Sequence, residues 1–416
     1  MRNRRIVGKR KVRPTTRGLK IKQKLVASLE AELLRRVRAQ GGVSRVDLAR
    51  QLQLAPSTAG AYVDRLISEG FLFEQQKATR NFGRPPTLLA LNPGGGRFVG
   101  VDFEAQNIMA SLVDFSQQPI QQVHETIHPG DTAEQVVAKI ESIIDDLVRD
   151  CRREILGIGV GVPGIIDPKK QVALHYSHIP NWTNVPLGER LTKKFKVDVF
   201  LENNIRSMAL AELWFGQGRS LDDFICLGIR TGIGAGVVVG RRVLHGKRNL
   251  AGEIGDWLCP VGLIGRPGPA GLHCEELRPL EGGVSVPAIL RGIRTAVESG
   301  VESNLNGQVE SLGLEQAAEA ARAGDPAVVA VLKRAAETLG WAVVEMDALF
   351  NPQKIILAGL IVSFGDALLK PLHEAVERFC SKRLGEKPVV SFSELGSFNG
   401  ALGAAALAMH EWKPKR

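Results

Sequence analysis

The feature that most constrains this 416-residue chain is an order of apolar segments that occurs twice. FVGVDFE, NIMASLVDF and QQVHETIH read as a three-strand meander, because apolar and β-branched residues alternate or cluster over strand-length runs. A helical pattern over about 132–150 follows, then the strand ILGIGVGVP, a loop, and a strand that runs into Glu202. Beyond it DFICLGIR, IGAGVVVG and RRVLHG are again three strands, succeeded by helices and the strand KIILAG. A duplicated βββαβα unit predicts an α/β body of two lobes that face a cleft. The last helical stretch, NGALGAAALAMHEW, is expected to pack back on the first lobe.

Charge separates the front of the chain from this body. Up to residue 97 there are 21 Lys and Arg against 6 Asp and Glu, whereas the remainder holds 33 against 38. A basic front on a mildly acidic body is the footprint of a nucleic-acid-binding module joined to something else. Residues 1–20 read as a basic, disordered tail that either stays solvated or touches phosphate. Apolar positions Leu25, Val26, Leu29, Leu33, Leu34 and Val37 predict a first helix ending at Gly41-Gly42. Ser44-Arg45-Val46-Asp47 opens a short second helix, and Pro56-Ser57-Thr58 opens a third that ends at Gly70. Two strands follow, FLFEQQ and PTLLALN.

Three helices and a two-stranded wing make a winged helix-turn-helix over 21–92, whose third helix enters a major groove. A three-helix protein-interaction module is the alternative. Ser57, Thr58, Ala61 and Arg65 are the candidate contacts on the third helix, with Arg65 expected on phosphate. In the wing, Arg80 and Arg84 of the GRPP stretch suit a narrow, A·T-rich minor groove, although GRPP would equally serve as a stiff hinge. Residues 93–98, with the NPGGG run at their start, are a linker.

The corner Leu201-Glu202-Asn203-Asn204-Ile205-Arg206 joins a buried strand directly to a helix. Such a corner leaves unpaired backbone donors at the helix start and lifts polar side chains out of the sheet, so it can hold a polar ligand. The bland alternative is a turn satisfied by its own Asn side chains. No apolar run is long enough to span a bilayer, and the basic start has no apolar core of a secretion signal. Five scattered cysteines suggest reduced thiols, so a cytoplasmic protein is expected.

GIGVGVPGIID (157–167), HIPNWTNVPL (178–187), ENNIRSMALAE, RTGIGAGVVV (230–239) and AGEIGD (251–256) occur in an order that resembles the ROK family of repressors and sugar kinases. The resemblance covers about 99–416, and the front matches the repressor branch of the family. It implies a two-lobed, actin-like fold, with the first lobe over 99–205 plus about 400–416 and the second over 206–399.

Departures from the family pattern bear on activity. The kinase phosphate loop, Asp-x-Gly-Gly-Thr, is here Asp102-Phe103-Glu104-Ala105-Gln106, without either glycine and with an acid that repels phosphate. The Thr231–Gly236 phosphate loop survives, but the adenosine site's three glycines are reduced to Ala358-Gly359-Leu360. The kinase base, an Asp, is replaced by Asn204, and an amide cannot take a hydroxyl proton at neutral pH. No catalytic residues are therefore expected.

The resemblance carries sugar contacts onto Asn203, Asn204, Glu253, Asp256 and Glu276. The family's zinc cluster is not matched: Cys259 and Cys274, with His273 and Asp256, have unlike spacing, so no metal and no cofactor are expected. The sequence thus predicts a DNA-binding transcriptional repressor controlled by a sugar or sugar derivative. Its expected partners are double-stranded, palindromic, A·T-rich operator DNA and a second copy of itself in a homodimer or homotetramer, with no membrane. A sugar kinase with an attached DNA-binding domain is the alternative, and a constitutive DNA-binding protein with an empty cleft is a third.

Overall fold

A computed structural model describes residues 16–76, 87–151, 154–260, 277–305, 307, 309–380 and 386–415. The chain divides into two compact units, 1–96 with 410–416, and 97–409.

The front unit contains α1 (Thr16–Gln40), α2 (Arg45–Gln51), α3 (Pro56–Ser68) and the antiparallel strands β1 (Leu72–Gln76) and β2 (Thr87–Leu91). Helix α1 already includes Thr16, inside the stretch 1–20 expected as a tail. Ser44 caps α2 by accepting from the Asp47 amide, and Pro56 opens α3 where no intrahelical N–H is needed. Ala59, Val63 and Leu66 of α3 are buried, spaced three or four apart so that they share one face. Residues 410–416 belong to this unit and not to the first lobe as expected. The reason is apolar: Trp412 is buried and meets the Phe71 ring edge-on at 5.3 Å.

In the second unit, the first lobe runs β3 (Arg97–Phe103), β4 (Asn107–Asp114), β5 (Pro119–Thr126), α4 (Ala133–Val148), β6 (Ile155–Val162), the small strands β7 (Ile165–Asp167), β8 (Val172–His175) and β9 (Thr183–Val185), then α5 (Leu187–Phe195) and β10 (Asp198–Asn203). Helix α6 (Asn204–Trp214) leads to β11 (Phe224–Ile229), β12 (Ile233–Val239), β13 (Arg242–Val243), β14 (Leu258–Pro260), β15 (Leu277–Pro279), α7 (Glu281–Val284), α8 (Val286–Glu298), α9 (Leu314–Arg322), α10 (Pro326–Phe350), β16 (Lys354–Ala358), α11 (Asp366–Phe379), β17 (Val390–Phe392) and α12 (Asn399–Glu411).

The repeat read from the sequence is visible in the two large sheets. Their orders are β10-β6-β3-β4-β5 and β17-β16-β11-β12-β13. In each, the first three strands pair in parallel and the last two are added by successive antiparallel pairings. The seventeenth strand completes the second copy; at three residues it is too short to give a periodic signal of its own.

Helix α12 lies directly on the first sheet. A Cβ on Gly100 would sit 1.9 Å from the Ala401 carbonyl oxygen, and one on Gly159 would sit 1.8 Å from that of Ala404. Glycine in the strands and alanine in the helix are therefore what let this contact form.

Candidate functional site

Between the lobes is a cleft of about 240 Å³, lined from the first lobe by Glu104, Gly164, His175, Tyr176, Asn203 and Asn204. The second lobe contributes Arg230, Thr231, Gly232, Glu253 and Glu281. This mixture of carboxylates, amides and hydroxyls is suited to a small, hydroxyl-rich molecule.

The strand-to-helix corner gives its two asparagines different tasks. Asn203 caps α6: its carbonyl oxygen accepts from the amides of Ile205 at 2.9 Å and Arg206 at 3.3 Å, and its Nδ2 donates to the Gly164 carbonyl at 3.2 Å. Only one N–H remains for a ligand, so the expected sugar contact is largely spent on the turn. Asn204 is 7% exposed, lines the cleft and makes no side-chain hydrogen bond among the described residues.

Beneath the corner is a network that sequence reasoning missed. Glu202 is buried and accepts through Oε1 from its neighbour's amide, Asn203 N, at 2.7 Å and from Arg206 Nε at 2.8 Å. Its Oε2 is 2.7 Å from His245 Nε2. Arg206, 1% exposed, also donates to the carbonyls of Asn249 at 3.3 Å and Ala251 at 3.4 Å. Burial alone would raise the Glu202 pKa, but the His245 bond and the Arg206 charge outweigh it and hold the carboxyl below its ordinary value. The signal was present, since Glu202 and Arg206 are four apart across a helix start.

Arg206 thereby anchors the loop that carries Glu253 to the cleft. The loop passes close to β12: Gly252 adopts φ +90°, and a Cβ there would lie 1.7 Å from the Ala235 oxygen. The Glu253 carboxyl is lifted above its ordinary pKa by partial burial, against the pull of Arg206 and with the push of Asp256 and Glu281.

Asp256, expected beside it, is exposed and does not line the cleft among the described residues. Ile254 turns into the core, and Glu281 packs against Gly255, so Glu281 stands at the wall where Asp256 was expected. No pattern around Glu281 announced this. Glu276, Cys274 and His273 lie outside the described residues. Cys259 donates its thiol to the Arg278 carbonyl at 3.2 Å, and no group of three His, Cys, Asp or Glu among the described residues could hold a metal ion.

The back of the cleft is closed by charge. Arg230 Nη1 reaches Asp102 Oδ2 at 2.6 Å from the other lobe, with both side chains buried. Beside this pair Thr231 donates to Glu104 at 3.2 Å. Burial pushes the Asp102 carboxyl from 3.8 up to about 6; Arg230 opposes the shift and Glu104 adds to it. Asp102 and Glu104 of the degenerate Asp102–Gln106 loop are thus both engaged by residues of the second lobe. The arginine that opens the RTGIGAGVVV motif is visible in the sequence but its partner is not, because 128 residues separate the two.

In the front unit Ser57, Thr58 and Ala61 are exposed on α3. Arg65 has one nitrogen 3.2 Å from the buried Glu30 carboxylate, and its guanidinium lies 5.6 Å from the Tyr62 ring centre. Arg80 and Arg84 lie outside the described residues.

Comparison with known proteins agrees with this architecture. The model of the ROK family matches residues 98–411. The xylose repressor of Caldicellulosiruptor bescii is 28% identical over 348 residues, which cover 81% of this chain and 84% of that protein. The DNA-binding transcriptional dual regulator NagC of Escherichia coli is 28% identical over 382 residues, covering 91% of each. A glucokinase of Thermotoga maritima is 31% identical over 316 residues, or 75% of this chain and 96% of the enzyme. A solved ROK family transcriptional regulator, described as a homologue of the E. coli MLC protein, shares the fold. Its TM-score is 0.76 at 24% identity, over 93% of this chain and 97% of that one. No helix among the described residues is long and apolar enough to cross a membrane.

Proposed function

Since the chain belongs to the ROK family, we propose that it is a sugar-responsive transcriptional repressor whose kinase-derived body binds its effector without phosphorylating it. The observation that carries this is the cleft itself. It keeps the polar groups a sugar needs, but presents Asn204 where a base would stand and is closed behind by Asp102–Arg230. An amide cannot accept the hydroxyl proton, and an internal ion pair takes up the carboxylate next to the phosphate path.

The three helices and paired strands of the front unit act as a winged helix-turn-helix. Ser57, Thr58 and Ala61 face the major groove and Arg84 enters the minor groove of an A·T-rich, palindromic operator. Two copies of the chain bind the two half-sites. A sugar held between Asn204 on one lobe and Glu253 on the other favours one arrangement of the lobes, and that preference alters operator affinity. The body works without a metal or a cofactor.

The test is an operator titration of the full chain at fixed salt, with and without D-xylose, D-glucose or N-acetylglucosamine, run beside a coupled ADP-release assay. A sugar-dependent change in operator affinity without ADP release is expected. Glu253→Ala should abolish the sugar response and leave operator binding intact. Arg84→Ala should cost about 1–3 kcal/mol at an A·T-flanked operator and less at a G·C-flanked one. The surviving Thr231–Gly236 loop favours a sugar kinase as the second reading; ADP release at ordinary kinase rates would establish it and sink the repressor-only account.

A further inference from the structure

The cleft between the lobes holds more negative charge than it neutralises. Three carboxylates line it, Glu104, Glu253 and Glu281, against one arginine. Arg230 is already committed at 2.6 Å from Asp102, and Glu104 acts on it as a second carboxylate. Among the described lining residues, His175 and His178 are the only others that can carry positive charge. The carboxylates of Glu253 and Glu281 make no hydrogen bond or ion pair among the described residues. They also repel each other, since the charge of Glu281 helps to lift the Glu253 carboxyl above its ordinary pKa. A second observation marks the same space. Asn204 is more than nine-tenths buried and its side-chain amide has no partner, yet neither amide atom is sealed from the cleft it lines. An open, unpaired amide beside unpaired carboxylates forms a set of ligand contacts.

The walls rank occupants by charge. Glu281 is laid against the surviving Thr231–Gly236 loop: its Oε2 would be 2.7 Å from a Cβ on Gly232 and 3.1 Å from one on Gly255. A phosphate on that loop would meet this carboxylate as well as Glu104, so a phosphorylated or acidic sugar adds repulsion. A neutral sugar satisfies the oxygens through its hydroxyls but leaves Glu253 and Glu281 opposed. An ammonium group does more, because it donates three hydrogen bonds, accepts none and cancels charge. A metal ion is disfavoured, since no group of three His, Cys, Asp or Glu among the described residues could hold one.

We infer, resting on the sugar-sensing reading, that the cleft takes an unphosphorylated amino sugar whose free ammonium group is held by Glu253 and Glu281 while Asn204 meets a hydroxyl. Glu281 is then the contact that selects the effector by its charge.

Calorimetric titration of the full-length protein without DNA, at pH 7, tests it. The probes are D-glucosamine, D-galactosamine and D-mannosamine, each beside its parent hexose, its N-acetyl derivative and its 6-phosphate. At least one amino sugar should bind one site per chain about tenfold more tightly than its three counterparts. Glu281→Gln should erase that preference, weakening the amino sugar about tenfold and leaving the parent hexose as it was. A merely structural role for Glu281 would not separate the two sugars in this way. Tightest binding by the parent hexose, the N-acetyl derivative or the phosphate would overturn the inference and leave the sugar-sensing reading standing. An unchanged preference in Glu281→Gln would also overturn it. So would the failure of every amino sugar to bind, and the operator titration with D-xylose, D-glucose and N-acetylglucosamine then decides the sugar-sensing reading separately.

Discussion

The chain buries two ion clusters at the same cleft, and they differ in what they hold together. Glu202 and Arg206 are neighbours on one strand-to-helix corner, four residues apart, and through His245 and two carbonyls they fasten a single loop. Asp102 and Arg230 come from different sheets and fasten one lobe to the other. The first carboxylate is surrounded by donors; the second has one donor, an unused oxygen and a neighbouring acid. Their titrations therefore run in opposite directions. Hydrogen bonding and opposite charge win at Glu202, whereas desolvation wins at Asp102.

The largest break in this comparison should come from Arg206→Ala. It leaves a buried carboxylate held below its ordinary pKa without its cation, and about 3–5 kcal/mol of stability should be lost in a urea titration. The sugar response should go with it, because the loop carrying Glu253 loses its anchor. Arg230→Ala should cost less, about 1–3 kcal/mol at pH 7, because Asp102 can take a proton in place of its cation. Its deficit should shrink at pH 5, where Asp102 is protonated, whereas that of Arg206→Ala should not. Equal pH dependence in the two variants would show that the clusters are not distinct.

Proton linkage sharpens the contrast. The folded Asp102 pKa, about 6, exceeds its ordinary 3.8, so the folded state binds more protons in between. Its contribution to stability is full below about pH 4 and is lost as pH rises through 6. Glu202 does the reverse: its contribution is present above the ordinary glutamate value and is lost as pH falls through the lower folded one. Melting curves from pH 4 to pH 7 should therefore lose a falling component in Asp102→Asn. Persistence of that component in the variant would assign it to another group.

His245→Gln removes a half-exposed partner from Glu202 and should cost no more than about 1 kcal/mol. Asn204→Asp should change stability least and restore no sugar-dependent ADP release, since Arg230, Glu104 and Leu360 remain. Appreciable release by that variant would show that these residues do not prevent phosphoryl transfer.

The sequence by itself determined the elements and their order. Periodicity, caps and glycine stops are local signals, so the three front helices, the repeated meander and the Asn203–Asn204 corner were legible without coordinates. It also revealed Asn204 and the lost phosphate-loop glycines, because a missing chemical group is visible wherever the chain places it. Tertiary structure decided which polar residues meet. It spent Asn203 on capping, turned Asp256 outward and brought Glu281 to the wall. It paired Arg230 with an aspartate on the opposite sheet and left Asn399 buried without a partner. Those outcomes depend on contacts between segments far apart in sequence, where side-chain direction is set by packing and no spacing along the chain records it.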